Sequence, residues 1–168
     1  MTEKLPDKIE TIITPVSLEY EYTPGRASTI FLRGMKQGRI LGQRCPVSGA
    51  VYVPPRGSSP THGVPTEGEI EVSDHGTLLS FTVVHLPIPG SEVSPPFVAA
   101  IILLDGADQT CLHVVSGCEP AEVRMGIRVR AVWKDRADWD YSFENIRYFE
   151  PSGEPDVPIE SLRRESSA

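Results

Sequence analysis

Two short turns with the same residue spacing carry the strongest chemical signature in this sequence. The first covers residues 45–49 (CPVSG) and the second covers residues 59–63 (SPTHG), and each places two polar side chains three positions apart. Zinc ribbons hold a tetrahedral metal ion with two turns of this kind, which are called knuckles. The four ligand positions hold Cys45, Ser48, Ser59 and His62. Because a neutral serine hydroxyl is a poor zinc ligand, we expect the scaffold of a zinc site without tightly bound zinc.

The other histidines do not form a recognisable catalytic pattern. His85 ends an apolar segment, His113 lies inside another, and His75 lies in a turn. None of them has a cysteine, serine or carboxylate at the spacing of a nucleophile–base pair, so no catalytic residue is predicted. A small acyl-thioester enzyme that uses His85 and His113 beside a proline-rich loop is kept as an alternative hypothesis.

Charge is distributed unevenly along the chain, whose net charge is −7. Residues 24–66 contain six basic residues and no acidic one, whereas residues 67–168 contain eight basic and eighteen acidic residues. Arg39, Arg44 and Arg56 flank the knuckles and are candidate ligands for an anion such as the phosphates of coenzyme A. A chance cluster of solvated arginines explains the pattern equally well. The acidic remainder argues against a nucleic-acid-binding surface over the whole molecule.

Hydrophobic spacing predicts one helix near the N-terminus, at residues 25–37, followed by a small ribbon. Thr23 is the expected N-cap, with Pro24 in the first turn, and Gly38 is expected to end the helix. Two short strands at residues 39–45 and 50–54 would flank the first knuckle. A ribbon of this size buries little apolar surface, so it needs a metal ion or a neighbouring element to be stable.

From residue 67 onward the pattern is that of short strands separated by turns. The predicted strands cover residues 68–73, 77–85, 97–104, 109–116, 127–134 and 142–150, with a short helical turn at 120–126. This order is typical of a five-stranded OB-fold barrel, and a β-sandwich is the competing prediction. The expected fold is therefore mainly β. Its expected parts are an extended arm (1–24) in which residues 16–22 could pair as an edge strand, a helix with a degenerate zinc ribbon (25–66), an OB-fold (67–150) and a flexible tail (151–168).

The loop at residues 86–96 (LPIPGSEVSPP) contains four prolines and several apolar residues without a burial period. Proline limits the conformations of the unfolded loop, which lowers the cost of ordering it against a partner. Leu86, Ile88, Val93 and Phe97 are therefore candidate residues of a docking surface. A loop that folds back over an open end of the barrel is the alternative.

Length, cysteine content and hydropathy limit the class of protein. No run of about 18 apolar residues occurs in the 168-residue chain, so no membrane span is expected. The first ten residues are charged and lack the apolar centre of a signal peptide, and the expected location is the cytoplasm. Three cysteines spread over the chain do not form a disulfide framework.

Five segments of the sequence resemble a known family. It is the family of small proteins in which a rubredoxin-like zinc ribbon precedes an OB-fold, found beside thiolases and lipid-transfer-type thiolases. The resembling segments are residues 31–46, 51–57, 76–85, 95–106 and 123–133. The family pattern has Cys-x-x-Cys in both knuckles, and only Cys45 matches it here, since Ser48, Ser59 and His62 occupy the other three positions.

The resemblance implies a function that composition alone does not. Members of that family are accessory subunits that dock on a thiolase-fold enzyme acting on acyl-CoA, and some partner retro-aldolases that shorten steroid side chains. We therefore expect a non-catalytic scaffold subunit with a thiolase-fold partner and acyl-CoA as its ligand. A stand-alone acyl-thioester enzyme and a single-stranded nucleic-acid-binding OB protein are the alternatives, and a membrane partner is not expected.

Overall fold

The computed structural model describes residues 11, 14, 16, 18–87 and 93–162, and consists of a helix, a three-stranded sheet and a closed barrel. The helix α1 covers Arg26–Lys36. The strands are β1 (Ile40–Arg44), β2 (Val51–Tyr52), β3 (Glu67–Val72), β4 (His75–Val84), β5 (Phe97–Leu104), β6 (Thr110–Val115), β7 (Arg128–Trp133) and β8 (Ile146–Pro151). Short 3-10 turns precede β7 and β8, and a four-residue helix α2 (Ile159–Leu162) follows the barrel.

Helix α1 lies where the sequence predicted it, and it buries Phe31, Gly34 and Met35. Gly34 is required because a Cβ there would lie 2.8 Å from the carbonyl oxygen of Arg39 and from Leu41 on β1. Gly38, with φ +74°, follows the helix as predicted. The predicted N-cap at Thr23 is wrong: Gly25 occupies that position and offers no capping side chain.

The first sheet has the strand order β2–β1–β3 and contains the ribbon. Strand β3 was assigned to the barrel from the sequence, but it pairs antiparallel with β1, with Ile40 opposite Val72 and Gly42 opposite Ile70. The register shifts beyond Gly42, at the level of Gly68, whose φ is +76°. This pairing supplies the ribbon with a neighbouring strand, which the two-residue strand β2 could not do alone.

The second sheet closes into a barrel with the strand order β4–β5–β6–β8–β7. All pairs are antiparallel except β6–β8, and β4 pairs with β7 to complete the closure. This is the five-stranded OB arrangement, so the barrel prediction is confirmed and the sandwich alternative is not. Leu78, Ile102, Val129 and Phe149 each have no exposed surface and fill the interior.

The segment after β8 lies against the barrel, whereas its composition had predicted a flexible tail from residue 151. The amide of Val157 donates to the carbonyl oxygen of Gly126 at 2.8 Å, and Asp156 forms an ion pair with Arg124 at 2.6 Å. Glu154 forms an ion pair with Arg128 at 2.8 Å. Specific ion pairs therefore hold residues 152–157, and residues 163–168 lie outside the described residues.

The described part of the N-terminal arm forms neither helix nor strand and is largely exposed. Residues 18–25 have no strand partner, so the edge-strand hypothesis finds no support in this described part of the arm. Tyr20 and Tyr22 point to the same side, with ring centroids 6.2 Å apart. Across the described ranges, every helix is too short or too polar to cross a membrane.

Helix α1 is joined to the barrel by a buried amide. The side chain of Asn145 has 1% exposure, and its Nδ2 donates to the carbonyl oxygens of Met35 at 3.0 Å and Asp140 at 2.6 Å. Its Oδ1 accepts a hydrogen bond from the amide of Asp140 at 2.9 Å. Phe31 and Phe143 pack beside this junction, with ring centroids 5.8 Å apart.

We predict that Asn145→Ala lowers the free energy of unfolding by about 3 kcal/mol, because the substitution removes three hydrogen bonds of a buried side chain, two to the carbonyl oxygens of Met35 and Asp140 and one from the amide of Asp140. Urea denaturation would measure this change. Gln109→Ala is the control, since the side chain of Gln109 accepts a hydrogen bond from the exposed Arg56, and the substitution should lower the free energy of unfolding by under about 1 kcal/mol. A loss below about 1 kcal/mol for Asn145→Ala would contradict the role of this amide.

Candidate functional site

The two knuckles have the same backbone shape. The amide of Gly49 donates to the carbonyl oxygen of Cys45 at 2.8 Å, and the amide of Gly63 donates to that of Ser59 at 2.9 Å. Gly49 and Gly63 have φ of +77° and +66°, a conformation that side chains with a Cβ rarely adopt. The equivalence predicted from the spacing is therefore present in the fold, with each glycine closing its turn.

The four ligand positions converge between the knuckles. The Sγ of Cys45 lies 3.7 Å from the Nδ1 of His62, and the Oγ of Ser59 lies 3.4 Å from the same nitrogen. The amide of Ser48 donates to the Sγ of Cys45 at 3.5 Å. Cys45 and Ser59 are completely buried, at 0% and 1% exposure. The side chains therefore contact one another directly.

Tyr52 is a member of this cluster that the sequence analysis missed. Its hydroxyl lies 3.3 Å from the Oγ of Ser59, and it reaches the knuckles from β2. Tyr52 was missed because it lies on β2, outside the spacing that defines the ligand positions of the knuckles. Tyr52 supplies a further hydrogen-bond partner for the buried hydroxyl of Ser59, which also contacts the Nδ1 and the amide of His62.

The residues at the four positions do not fit a structural zinc ion. Zinc sites of this type use four cysteine or histidine ligands, and only Cys45 and His62 are of that kind. The hydroxyl of Ser59 already contacts Tyr52 and accepts from the amide of His62 at 3.3 Å. Across residues 18–87 and 93–162, no group of three histidine, cysteine or acidic residues is placed to hold a metal.

The hydrogen bonds of the knuckles favour the thiolate of Cys45. They lower its pKa to about 6, and the largest cause is the hydroxyl of Ser48, followed by the amide of Ser48 and the hydroxyl of Ser59. Burial has the opposite effect on Cys111, raising its pKa to about 11. The pKa of Cys118 is also raised, by burial and by the nearby carboxylates of Glu122 and Glu119. The hydrogen bonds of the knuckles thus favour the thiolate at Cys45, whereas burial favours the thiol at Cys111 and Cys118.

The structure separates the three candidate arginines by their partners. Arg39 forms an ion pair with Glu71 at 2.8 Å. Arg44 donates to the carbonyl oxygen of Gly49 at 2.7 Å, and Arg56 donates to the side-chain oxygen of Gln109 at 2.8 Å. Because the acceptors of Arg44 and Arg56 are neutral, these bonds do not offset their positive charge.

Acidic residues of β3 partly offset the positive charge of residues 24–66 in the folded chain. Strand β3 lies beside β1 and brings three glutamates, Glu67, Glu69 and Glu71, into the ribbon sheet. The six basic residues of segment 24–66 combine with these three acids to give residues 24–72 a net charge of +3. An open cleft of about 450 Å³ between α1 and β3 is lined by Arg26, Glu67 and Glu69 among others, but not by the three candidate arginines.

The candidate docking residues lie at both ends of the connection between β4 and β5. Leu86 is 76% exposed and Val93 is 39% exposed, and Phe97 begins β5 with a half-buried side chain. Ile88 lies outside the described residues. The structure therefore places the described apolar members of this loop at the surface.

The histidines of the alternative enzyme hypothesis lie in different environments. His85 is exposed at the end of β4. The ring of His113 packs edge-on against Phe143 and Phe149, with centroid distances of 5.2 and 5.3 Å, and burial lowers its pKa. Its Nδ1 accepts from the amide of Val114 at 2.9 Å. The contacts of His113 thus explain it as a packing residue.

We predict that the purified chain contains well under one zinc ion per molecule, because two of the four knuckle positions are serines. The double variant Ser48→Cys with Ser59→Cys restores four sulfur or nitrogen donors, and we expect it to bind about one zinc ion. Elemental analysis after dialysis measures both. Stoichiometric zinc in the wild-type chain would contradict the interpretation of the donor set.

We also predict that the absorbance of the Cys45 thiolate at 240 nm titrates with a midpoint near pH 6. Since this pKa lies below that of an unfolded cysteine, the thiolate stabilises the fold at higher pH, and this contribution is lost as the pH falls through about 6. Ser48→Ala should raise the midpoint, whereas Ser58→Ala, at an exposed neighbouring position, should not. An unchanged midpoint in Ser48→Ala would contradict the assigned cause.

Comparison with known proteins identifies the family of the barrel and of the chain. Residues 69–134 match the model of the ChsH2 C-terminal OB-fold domain. A DUF35 domain-containing scaffold protein of Methanocaldococcus jannaschii is 34% identical over 96 residues, which cover 56% of this chain and 67% of that protein.

Two further similarities involve components of larger assemblies. The 3-oxo-4,17-pregnadiene-20-carboxyl-CoA hydratase alpha subunit of Mycobacterium tuberculosis is 40% identical over 74 residues, or 43% of this chain. The match spans 23% of the length of that subunit. The solved Ltp2–ChsH2(DUF35) aldolase has the same fold, with a TM-score of 0.58 and 22% identity over 78% of this chain and 98% of that one. The chain belongs to the DUF35 family of scaffold proteins.

Proposed function

We propose that this chain is a non-catalytic accessory subunit that docks on a thiolase-fold enzyme acting on acyl-CoA. The observation that carries the proposal is its similarity to a DUF35 scaffold protein at 34% identity over 96 residues. The aldolase that shares its fold contains Ltp2 and a ChsH2 chain, which supports assembly with an enzyme. The hydratase relative is itself an alpha subunit.

The proposed ligand is the coenzyme A portion of the enzyme's substrate. Arg44 and Arg56 carry positive charge that their neutral acceptors leave available, which suits contact with phosphate groups. Arg39 is the weaker candidate because Glu71 already pairs with it. The hydratase relative is named for a coenzyme A thioester, and a lipid or steroid side chain is the proposed acyl group.

The experiment that tests this proposal is co-expression with a thiolase-fold enzyme encoded beside this chain. We expect a complex that remains intact in size-exclusion chromatography. Arg44→Glu and Arg56→Glu should each lower acyl-CoA turnover by the complex about tenfold, which corresponds to about 1.4 kcal/mol, without unfolding the chain. Arg147→Glu is the matched control, since Arg147 is exposed on β8 of the barrel.

Several outcomes would contradict the proposal. A chain that remains monomeric and does not associate with such an enzyme would exclude the scaffold function. Turnover of an acyl thioester by the isolated chain, lost in His85→Ala, would favour the stand-alone enzyme instead. Equal losses in Arg147→Glu and Arg44→Glu would show that the ribbon arginines have no special role.

A further inference from the structure

On the outer surface of the barrel, the part formed by β4, β5 and β6 lacks acidic residues, lysine and arginine over the ranges that follow. Residues 78–84 of β4, Phe97–Leu104 of β5 and Thr110–Val115 of β6 contain no lysine, arginine, aspartate or glutamate. On β5 the buried and half-exposed residues alternate strictly, so Ala99 and Ile101 point outward while Ala100 and Ile102 fill the interior. Both faces of this strand are apolar, although an antiparallel strand in contact with water usually has polar residues on its outer face.

Neighbouring strands extend this surface. Ile101 pairs with Leu112 on β6 and Ala99 pairs with Val114, while Thr82 of β4 lies opposite Ala99 on the other side. Leu112 is 66% exposed. We call the surface formed by Thr82, Phe97, Ala99, Ile101, Leu112 and Val114 the apolar face.

The other half of the same barrel carries the opposite kind of surface. Arg130 on β7 pairs with Glu150 on β8 at 2.7 Å. Arg128 on β7 bonds Asp105 and Glu154 and thereby helps to hold the segment after β8 in place. Because ion pairs cover this half, the lack of charge on the apolar face is a local property and not a consequence of the fold.

Exposed apolar residues also lie close in sequence to the adjoining ends of β4 and β5. Val84 pairs with Phe97 at the ends of the two strands, immediately before and after the connection between them. Leu86 and Val93 add exposed apolar surface there. An uncharged, largely apolar surface on three adjacent strands is a candidate site of protein–protein contact.

We propose that the apolar face seats one amphipathic helix of the enzyme partner, an inference that rests on the proposed function. Three strands at about 4.8 Å spacing give a surface roughly 14 Å wide, which matches one helix of about 10–12 Å diameter. A helix packed on a sheet is the common way to bury an apolar sheet face. The absence of charge requires an apolar stripe on the helix and excludes a phosphate backbone as the occupant.

The size of the face distinguishes this occupant from a second copy of the chain. Along β5 the face covers residues 97–101, five positions that span roughly 17 Å, so the face measures roughly 240 Å². A specific interface buries about 800 Å² on each partner. The face is therefore too small to hold a dimer by itself, but it fits one helix as one part of a larger contact with the enzyme.

The test uses the full chain and the co-expressed thiolase-fold enzyme, with affinity measured by biolayer interferometry. Leu112→Asp places a charge within the face, on an exposed side chain of β6, so the fold should be retained. We expect affinity to fall at least tenfold with an unchanged melting temperature. Met125→Asp is the matched control, since Met125 is 44% exposed and lies outside the face, and it should bind like the wild type.

The outcomes separate this inference from the proposed function. If Leu112→Asp binds the enzyme as tightly as the wild type, the proposal that the apolar face binds the enzyme is wrong, while the proposed scaffold function is unaffected. If the wild-type chain binds no thiolase-fold enzyme, the proposed function and this occupant both fail. A wild-type dimer that Leu112→Asp converts to a monomer would assign the face to a second copy.

A second measurement checks the helix itself. A photo-cross-linking amino acid in place of Leu112 should attach to peptides from one helix of the enzyme, and mass spectrometry identifies them. Attachment to a strand or loop of the enzyme would overturn the helical occupant. The same amino acid in place of Met125 should not cross-link to the enzyme.

Discussion

The buried amide of Asn145 fixes the ribbon relative to the barrel. One side chain satisfies the last turn of α1 through the carbonyl oxygen of Met35 and closes the turn before β8 through Asp140. The backbone of Gly38 lies against Trp139, where a Cβ would come within 2.4 Å of the indole ring. Because burying a polar group without a partner is costly, these contacts stabilise the observed placement of α1 against the barrel.

Hydrogen bonds hold the two knuckles together. The thiolate of Cys45 accepts from Ser48 and Ser59, and Tyr52 provides a partner for Ser59. The ribbon also gains β3 on one edge and α1 on one face. These neighbours supply the burial that a ribbon of this size lacks when it stands alone.

Local sequence patterns predicted the helix and the barrel strands because those signals depend on nearest neighbours. The pairing of β3 could not be predicted, since its closeness to β4 in sequence favoured the barrel while its partner β1 is more than twenty residues away. Asn145 carries no motif, and its role arises from contacts made 110 positions apart. The knuckle spacing predicted the convergence of Cys45 and His62, but it could not show that Tyr52 completes the cluster.

Strand β3 ends at Val72 and β4 begins at His75, so two residues join the ribbon sheet to the barrel. This short connection and the bonds of Asn145 together restrict rotation of the ribbon sheet relative to the barrel. The knuckles and the outer surface of β5 are therefore held at a fixed distance and angle from each other. A protein that contacts both must present two patches at the same separation, so geometry itself selects between candidate enzymes.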